Sequence, residues 1–292
     1  MISVDTSELL KKVRQIEIKS RGLSRNIFAG QYHSAFKGRG MAFSEVREYE
    51  FGDDIRDIDW NVTARYSKPY IKIFEEEREM TVMLLIDVSG SRDFGTQYTT
   101  KKDMITEIAA TLAFSAIQNN DKIGIIFFSD KIEKFIPPQK GKKHILYIIR
   151  ELVGFEPTET GTDVSQVLKY LTNAIKKRCT AFVLSDYIDR NNYEHALTIA
   201  NKKHDIVAIQ VFDQRETGIP SVGLMKIKDA ETGVEKYVDT SSARVRQAYD
   251  KWWRERQGKM MNSFKKSRVD SISIRTDEDY VKALISLFDK RS

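Results

Sequence analysis

A chain of 292 residues that is 41% hydrophobic and 31% charged has the composition of an ordered globular protein and excludes wholesale disorder. Its single cysteine, Cys179, excludes an internal disulfide and any multi-cysteine metal site, and is expected to be packed rather than reactive. The net charge of +6 is uneven: residues 1–80 carry 14 basic and 14 acidic side chains, residues 81–215 carry 18 and 16, and residues 216–292 carry 16 and 12, so affinity for a polyanion would have to reside in the C-terminal part.

No apolar run approaches the roughly 20 residues that cross a bilayer. The start, Met1-Ile-Ser-Val-Asp-Thr6, lacks the basic opening and apolar stretch of a signal peptide. A cytoplasmic location is the expectation.

In chain order, Leu9, Leu10, Val13 and Ile16 mark one face of a short helix over residues 7–19. Residues 41–75 read as irregular and rich in opposite charges, closing with a strand over 70–74. Residues 81–86 are apolar throughout and predict a fully buried strand. A helix over 101–119 follows, with Ile105, Ile108, Ala109, Leu112, Ala113 and Ala116 at helical spacing. Residues 123–128 form the next buried strand, and 131–136 alternate as its hairpin partner at an edge, ended by Pro137-Pro138. Helices over 142–152 and 163–177 precede a short buried strand at 181–184, then a helix over 193–203 and a buried strand at 206–211. Residues 224–228 and 235–238 read as a hairpin around Asp229–Gly233. A long basic helix over 242–266, a strand at 271–275 and a helix over 277–289 complete the chain.

Apolar strands separated by helices predict an α/β, Rossmann-like fold with a mostly parallel central sheet and helices on both faces. The expected divisions are an N-terminal segment, 1–79, the α/β domain, 80–215, and a C-terminal extension, 216–292, with both extensions packed on the domain.

Asp87-Val-Ser89-Gly-Ser91 directly follows the first buried strand. Oxygen donors without nitrogen or sulfur suit a hard cation, Mg²⁺ or Mn²⁺. Two further pieces stand downstream, Gly161-Thr162-Asp163 before a helix and Ser185-Asp186 ending another strand. Ligands of such sheets collect beyond the carboxyl ends of the strands, where strand order reverses. Thr162 has two readings, as a hydroxyl donor to the cation or as the cap of the helix beginning at Asp163, and Thr160 is an alternative donor.

Asp-x-Ser-x-Ser, a later Thr and a later Asp on an alternating sheet resemble a von Willebrand factor A domain carrying a metal-ion-dependent adhesion site. The resemblance implies that Ser89, Ser91 and Thr162 are hydroxyl ligands of Mg²⁺ or Mn²⁺, and that Asp87 and Asp186 act mainly through water. It implies a protein partner that offers a carboxylate to the open coordination position.

A second resemblance spans nearly the whole chain. Gly30-Gln-Tyr-His33-Ser34, Lys37-Gly38-Arg-Gly40, Phe43-Ser-Glu45-Val-Arg47, Tyr49-Glu-Phe-Gly52-Asp53, Arg56-Asp-Ile-Asp59-Trp60 and Thr63-Ala64-Arg65 are similar, in order, to the bacterial family called domain of unknown function 58. This resemblance implies association with a MoxR-type AAA+ ATPase and no defined reaction.

The acids Asp53, Asp54, Asp57 and Asp59 fail as an EF-hand loop, because the twelfth position from Asp53 is Ala64 rather than Glu. Arg47, Arg56 and Arg65 suffice to pair with them in a structural network, with Trp60 as an anchor; a partner-docking surface is the alternative. Asp87 is not a phosphatase nucleophile of the haloacid dehalogenase type, since Ser89 stands where the second carboxylate is needed. No phosphate loop and no His-Glu-x-x-His exists. His33, His144, His195 and His204 lack zinc-like pairing and are expected mostly at surface or capping positions.

The expected function is therefore divalent-cation-dependent protein binding, non-enzymatic, as an adaptor of an AAA+ ATPase, with metal-assisted hydrolysis as an alternative. A second alternative is nucleic acid or anionic membrane binding by the helix region 242–268. Between Arg244 and Arg268 nine basic residues stand against Asp250 and Glu255, interleaved with Tyr249, Trp252, Trp253 and Phe264. The preferred reading of that helix is docking, with Val245, Tyr249, Trp252 and Trp253 on the sheet.

Overall fold

The computed structural model describes residues 14–16, 42–66, 68–75, 80–95 and 99–291. These fall into two compact units. The expected N-terminal helix is described only at 14–16, which are helical, and the motifs at 30–40, His33 included, lie outside the described residues.

The smaller unit, within Lys37–Met80, pairs β1 (Ala42–Glu48) antiparallel with β2 (Tyr70–Glu75). Between them lies the short helix α1 (Trp60–Tyr66). Strand β1 falls where an irregular segment was expected, because its alternating acids and bases hide a strand whose partner is more than twenty residues away. Asp53 accepts from Arg47 at 2.7 Å and from the Glu50 N–H at 2.8 Å, so the expected charge network exists at that point. Trp60 does not serve as a buried anchor: it is 69% exposed, and Phe51 and Ile55 are exposed too.

The larger unit comprises Thr81–Ser292 with the described turn at 14–16. Its elements are β3 (Thr81–Asp87), α2 (Lys101–Gln118), β4 (Lys122–Phe128), β5 (Ile132–Gln139), α3 (Lys142–Gly154), α4 (Val164–Ala174), β6 (Thr180–Ser185), α5 (Glu194–Lys203), β7 (Asp205–Phe212), β8 (Leu224–Lys228), β9 (Glu235–Asp239), α6 (Ala243–Lys266), β10 (Asp270–Arg275) and α7 (Tyr280–Asp289). Six strands form one sheet in the order β10-β7-β6-β3-β4-β5, parallel except for β5. The mixed α/β architecture with a mostly parallel sheet is as expected. Strand β10 makes the C-terminal segment part of that sheet.

Strands β3, β4, β6 and β7 are buried almost end to end, which is why their sequences run apolar without alternation. Met83, Leu85, Ile126, Phe128, Ala181 and Val183 pack on one face under α4, α5 and the Met260–Phe264 end of α6. The other face carries α2, which also meets α3 and, through Thr111 and Tyr280, α7. Strand β5 runs through Pro137 and Pro138 to Gln139, past its expected end. It is an edge strand, where a residue without an N–H costs no ladder bond, and its register is irregular there.

The chain leaves β3 toward β4 and β5, then returns to β6 on the other side of β3. The crevice at the carboxyl ends of β3 and β6 is therefore the point at which strand order reverses.

At the opposite end of β6, Cys179 is buried as expected, and His204, at the capping position that closes α5, is buried as well. The Cys179 Sγ and His204 Nδ1 are 3.3 Å apart. Burial pushes the thiol up to about 12 and the imidazole down to about 4. This sealed pair is a structural contact rather than a nucleophile and base. Because the folded His204 pKa lies below its ordinary value of 6.5, its neutral form contributes stability above about pH 6.5 that is lost as pH falls toward 4. The urea midpoint of wild type should approach that of His204→Gln as pH is lowered through this window; a constant gap would remove the assignment.

Candidate metal centre

Strand β3 delivers Asp87 to the crevice, 3% exposed. Its Oδ1 accepts from the Ser89 N–H at 2.9 Å and its Oδ2 from the Ser185 hydroxyl at 2.5 Å. The chain then turns in a single 3-10 turn, Gly90–Asp93, which sets the Ser89 and Ser91 hydroxyls 3.1 Å apart.

Strand β6 delivers Asp186. Its Oδ1 accepts from the Ile188 N–H at 2.9 Å, its Oδ2 from Lys101 Nζ at 2.7 Å, and its carboxylate also takes the Ser91 hydroxyl. Ser91 thus links the two strand ends.

Thr162 arrives on the loop before α4. That loop is tied to the turn by the Gly90 N–H, which donates to Thr160 O at 3.0 Å, and to the end of β4 by the Asp163 N–H, which donates to Ser129 O at 2.9 Å. The hydrogen bonds assign the helix cap. Asp163, not Thr162, caps α4, its carboxylate accepting from the Gln166 N–H at 2.8 Å. The Thr160 hydroxyl is committed elsewhere, donating to Glu231 O at 2.6 Å. The Thr162 hydroxyl is buried, the residue 7% exposed, and among the described residues it has no hydrogen-bond partner. An unpaired buried hydroxyl costs about 1–3 kcal/mol, and this one stands on the loop that the Gly90 N–H ties to the Ser89–Ser91 turn.

The two carboxylates differ. Burial, and then the charge of Asp186, raise Asp87 to about 7. Burial acts on Asp186 too, but the Lys101 ammonium and the bonds from Lys101 and Ser91 outweigh it and hold Asp186 below its ordinary value. Lys101 is 1% exposed and bridges Asp186 to Glu216 Oε1 at 2.6 Å. Asp87 has hydrogen-bond donors but no basic side chain among the described residues.

Neither Lys101 nor Glu216 was expected here. Lys101 is the first residue of the expected helix, and nothing in its sequence surroundings signals burial. Among the described residues no group of three or more His, Cys, Asp or Glu is gathered as a metal site. A cation here would rest on the hydroxyls of Ser89, Ser91 and Thr162, with Asp87 and Asp186 behind them. That donor set fits Mg²⁺ or Mn²⁺ and does not fit zinc.

The long helix α6 buries Trp253, Met260 and Phe264 and half-buries Val245 and Tyr249, as expected of a docking face, while Trp252 stays 43% exposed. Arg256 donates to Tyr187 O at 3.1 Å and lies over the Trp252 ring, and Arg246 donates to Thr240 O at 2.6 Å. Part of the basic stripe is therefore spent on holding the helix.

Residues 45–259 match the family described as "Protein of unknown function DUF58". Uncharacterized proteins of Mycobacterium tuberculosis and Mycobacterium bovis are 25% identical over 284 residues, covering 97% of this chain and 89% of each relative. Among solved structures, an aerotolerance-related membrane protein from Bacteroides fragilis aligns with a TM-score of 0.50 at 15% identity, over 72% of this chain and 99% of that one, a likeness of fold alone. The conserved hypothetical protein BatB from Bacteroides thetaiotaomicron aligns with a TM-score of 0.48 at 13% identity, over 73% of this chain and 98% of that one.

Breaking a buried ion pair by removing one partner costs about 3–5 kcal/mol. Lys101→Met should lower stability to urea by that order, leaving Asp186 and Glu216 buried without their cation. Adding Glu216→Gln should recover part of the loss, and equal stability of Lys101→Met and wild type would refute the network.

Proposed function

We propose that this chain, which belongs to the DUF58 family, is a non-enzymatic, divalent-cation-dependent protein-binding module with a von Willebrand A-like domain and a metal-ion-dependent adhesion site. The observation that carries the reading is the buried Thr162 hydroxyl, which has no hydrogen-bond partner among the described residues and stands on a loop tied to the Ser89–Ser91 turn. Ser89, Ser91 and Thr162 would hold Mg²⁺ or Mn²⁺. Asp87 and Asp186 would fix its waters.

Neutral hydroxyls leave most of the cation's charge uncompensated, so the bound ion supplies attraction for a carboxylate from a partner protein. Metal-assisted hydrolysis would need a general base within reach of the ion. Asp186 is committed to Lys101, Asp87 to Ser89 and Ser185, and the Cys179–His204 pair lies at the other end of the strand. A binding role suits this arrangement better than turnover.

The partner we propose is a MoxR-type AAA+ ATPase, to which the chain presents clients, with the cytoplasm as the place of action. Among the described residues no helix is long and apolar enough to cross a membrane. Binding of a nucleic acid or an anionic membrane surface by α6 is the second reading. The bonds from Arg246 and Arg256 favour docking instead.

Titration of Mn²⁺ into the protein should show one saturable site. Ser89→Ala/Ser91→Ala should weaken it at least about tenfold, the scale on which even outer partners of a metal ligand count, with the urea midpoint little changed. Absence of saturable Mn²⁺ and Mg²⁺ binding by wild type would reject the reading.

A further inference from the structure

The hairpin β8–β9 has no counterpart in the chemistry described so far, yet its tip is held on the candidate metal centre. Three contacts do this. The Thr160 hydroxyl, two residues from Thr162, donates to Glu231 O at 2.6 Å. Gly90, between the two serines, faces Ala230 so closely that a Cβ there would lie 2.5 Å from the Ala230 carbonyl oxygen. Arg190, on the loop after Asp186, reaches Asp229 at 3.7 Å and Glu231 at 3.6 Å. One tip therefore touches the loops that carry Ser89 and Ser91, Thr162, and Asp186.

The Glu231 side chain is 16% exposed, close enough to Asp186 for the two charges to oppose each other. Arg190 acts on Glu231 more strongly than Asp186 does and favours its charge, although at 67% exposure it is screened by solvent. A cation at the strand ends would turn the repulsion between Glu231 and Asp186 into a shared attraction. The buried Thr162 hydroxyl, without a hydrogen-bond partner among the described residues, stands two residues from the Thr160 that holds the tip.

The rest of the hairpin is thinly attached. Leu224, Val234 and Tyr237 are exposed, and the base is closed by the Thr240 N–H, which donates to Gly223 O at 2.8 Å. A two-stranded ribbon with so little buried surface is marginally stable alone and belongs to the low-stability end of a fold, from which moving elements come.

We propose that the tip of the β8–β9 hairpin is a cover in cis over the cation site, with Glu231 as its carboxylate ligand, occupying the position that a partner's carboxylate takes when the hairpin is displaced. The proposal rests on the cation reading above for its chemistry, whereas the cover itself is testable without metal.

Two variants separate the two ideas: Glu231→Gln, which keeps the hairpin and removes the charge, and replacement of residues 229–233 by Asn-Gly, which keeps β8 and β9 paired and removes the tip. Without metal, the tipless variant should exchange amide hydrogens faster than wild type over residues 88–92 and 158–163, as measured by mass spectrometry. Equal exchange would overturn the cover, whatever the site binds. With Mn²⁺ alone as the probe, exchange over residues 229–234 of wild type should slow. Glu231→Gln should bind Mn²⁺ about tenfold more weakly and lose that slowing. If wild type binds Mn²⁺ at a site that Ser89→Ala/Ser91→Ala removes, while Glu231→Gln binds it equally well, the ligand role of Glu231 fails and the adhesion-type site survives. If wild type and both hairpin variants bind no Mn²⁺, the cation reading and the ligand role fall together, and the metal-free exchange still decides the cover.

Discussion

Two carboxylates and one ammonium, all buried at the rim of a parallel sheet, set the terms for the rest of this molecule. The return of the chain from β5 to β6 forces the ends of β3 and β6 to be neighbours, and each ends in an acid. Two such charges withdrawn from water repel strongly unless something positive stands between or beside them. Lys101 answers for Asp186. It is itself steadied by Glu216, whose carboxylate also accepts the Asp213 N–H at 2.8 Å in a capping box, so that the turn after β7 is locked onto the start of α2. Asp87 receives only N–H and O–H donors, which do not outweigh the burial and the Asp186 charge that raise its proton affinity. The asymmetry between the two acids is the electrostatic opening that a cation would fill.

The sheet was readable because burial on both faces removes alternation, leaving apolar runs at residues 81–86, 123–128, 181–184 and 206–211. Strand β1 was not, since Ala-Phe-Ser-Glu-Val-Arg-Glu mixes charges among its apolar residues. Prolines 137 and 138 looked like an end because they forbid a central strand, and only the edge position of β5 permits them.

In the site, Ser89 and Ser91 were legible as neighbours because they are close in sequence, and Asp186 because it ends an apolar run. The choice between Thr160 and Thr162 depended on which hydroxyl is already engaged, information that exists only in three dimensions. Lys101 and Glu216 could not be read at all. Lysine and glutamate are surface residues by default, and Lys101 meets Asp186 and Glu216 across 85 and 115 residues of chain. His204 was legible as a capping residue but not as a buried one, its burial coming from the neighbouring start of β6.

Gly90 shows how the hairpin and the site constrain one another. The Asp-x-Ser-x-Ser pattern needs no glycine for its oxygens, and the turn at Gly90 has no positive φ that would require one. What demands glycine is space, because the Ala230 carbonyl occupies the volume of a side chain. In the proposed cover, a cis carboxylate on a short tether competes with any incoming one at an effective concentration in the millimolar range. A partner offering only a carboxylate would lose that competition. It would have to gain binding energy elsewhere, and the exposed Leu224, Val234 and Tyr237 on the same hairpin lie where a partner lifting it would meet them. Selectivity would then come from the strap as much as from the ion, since the ion alone cannot tell one carboxylate from another.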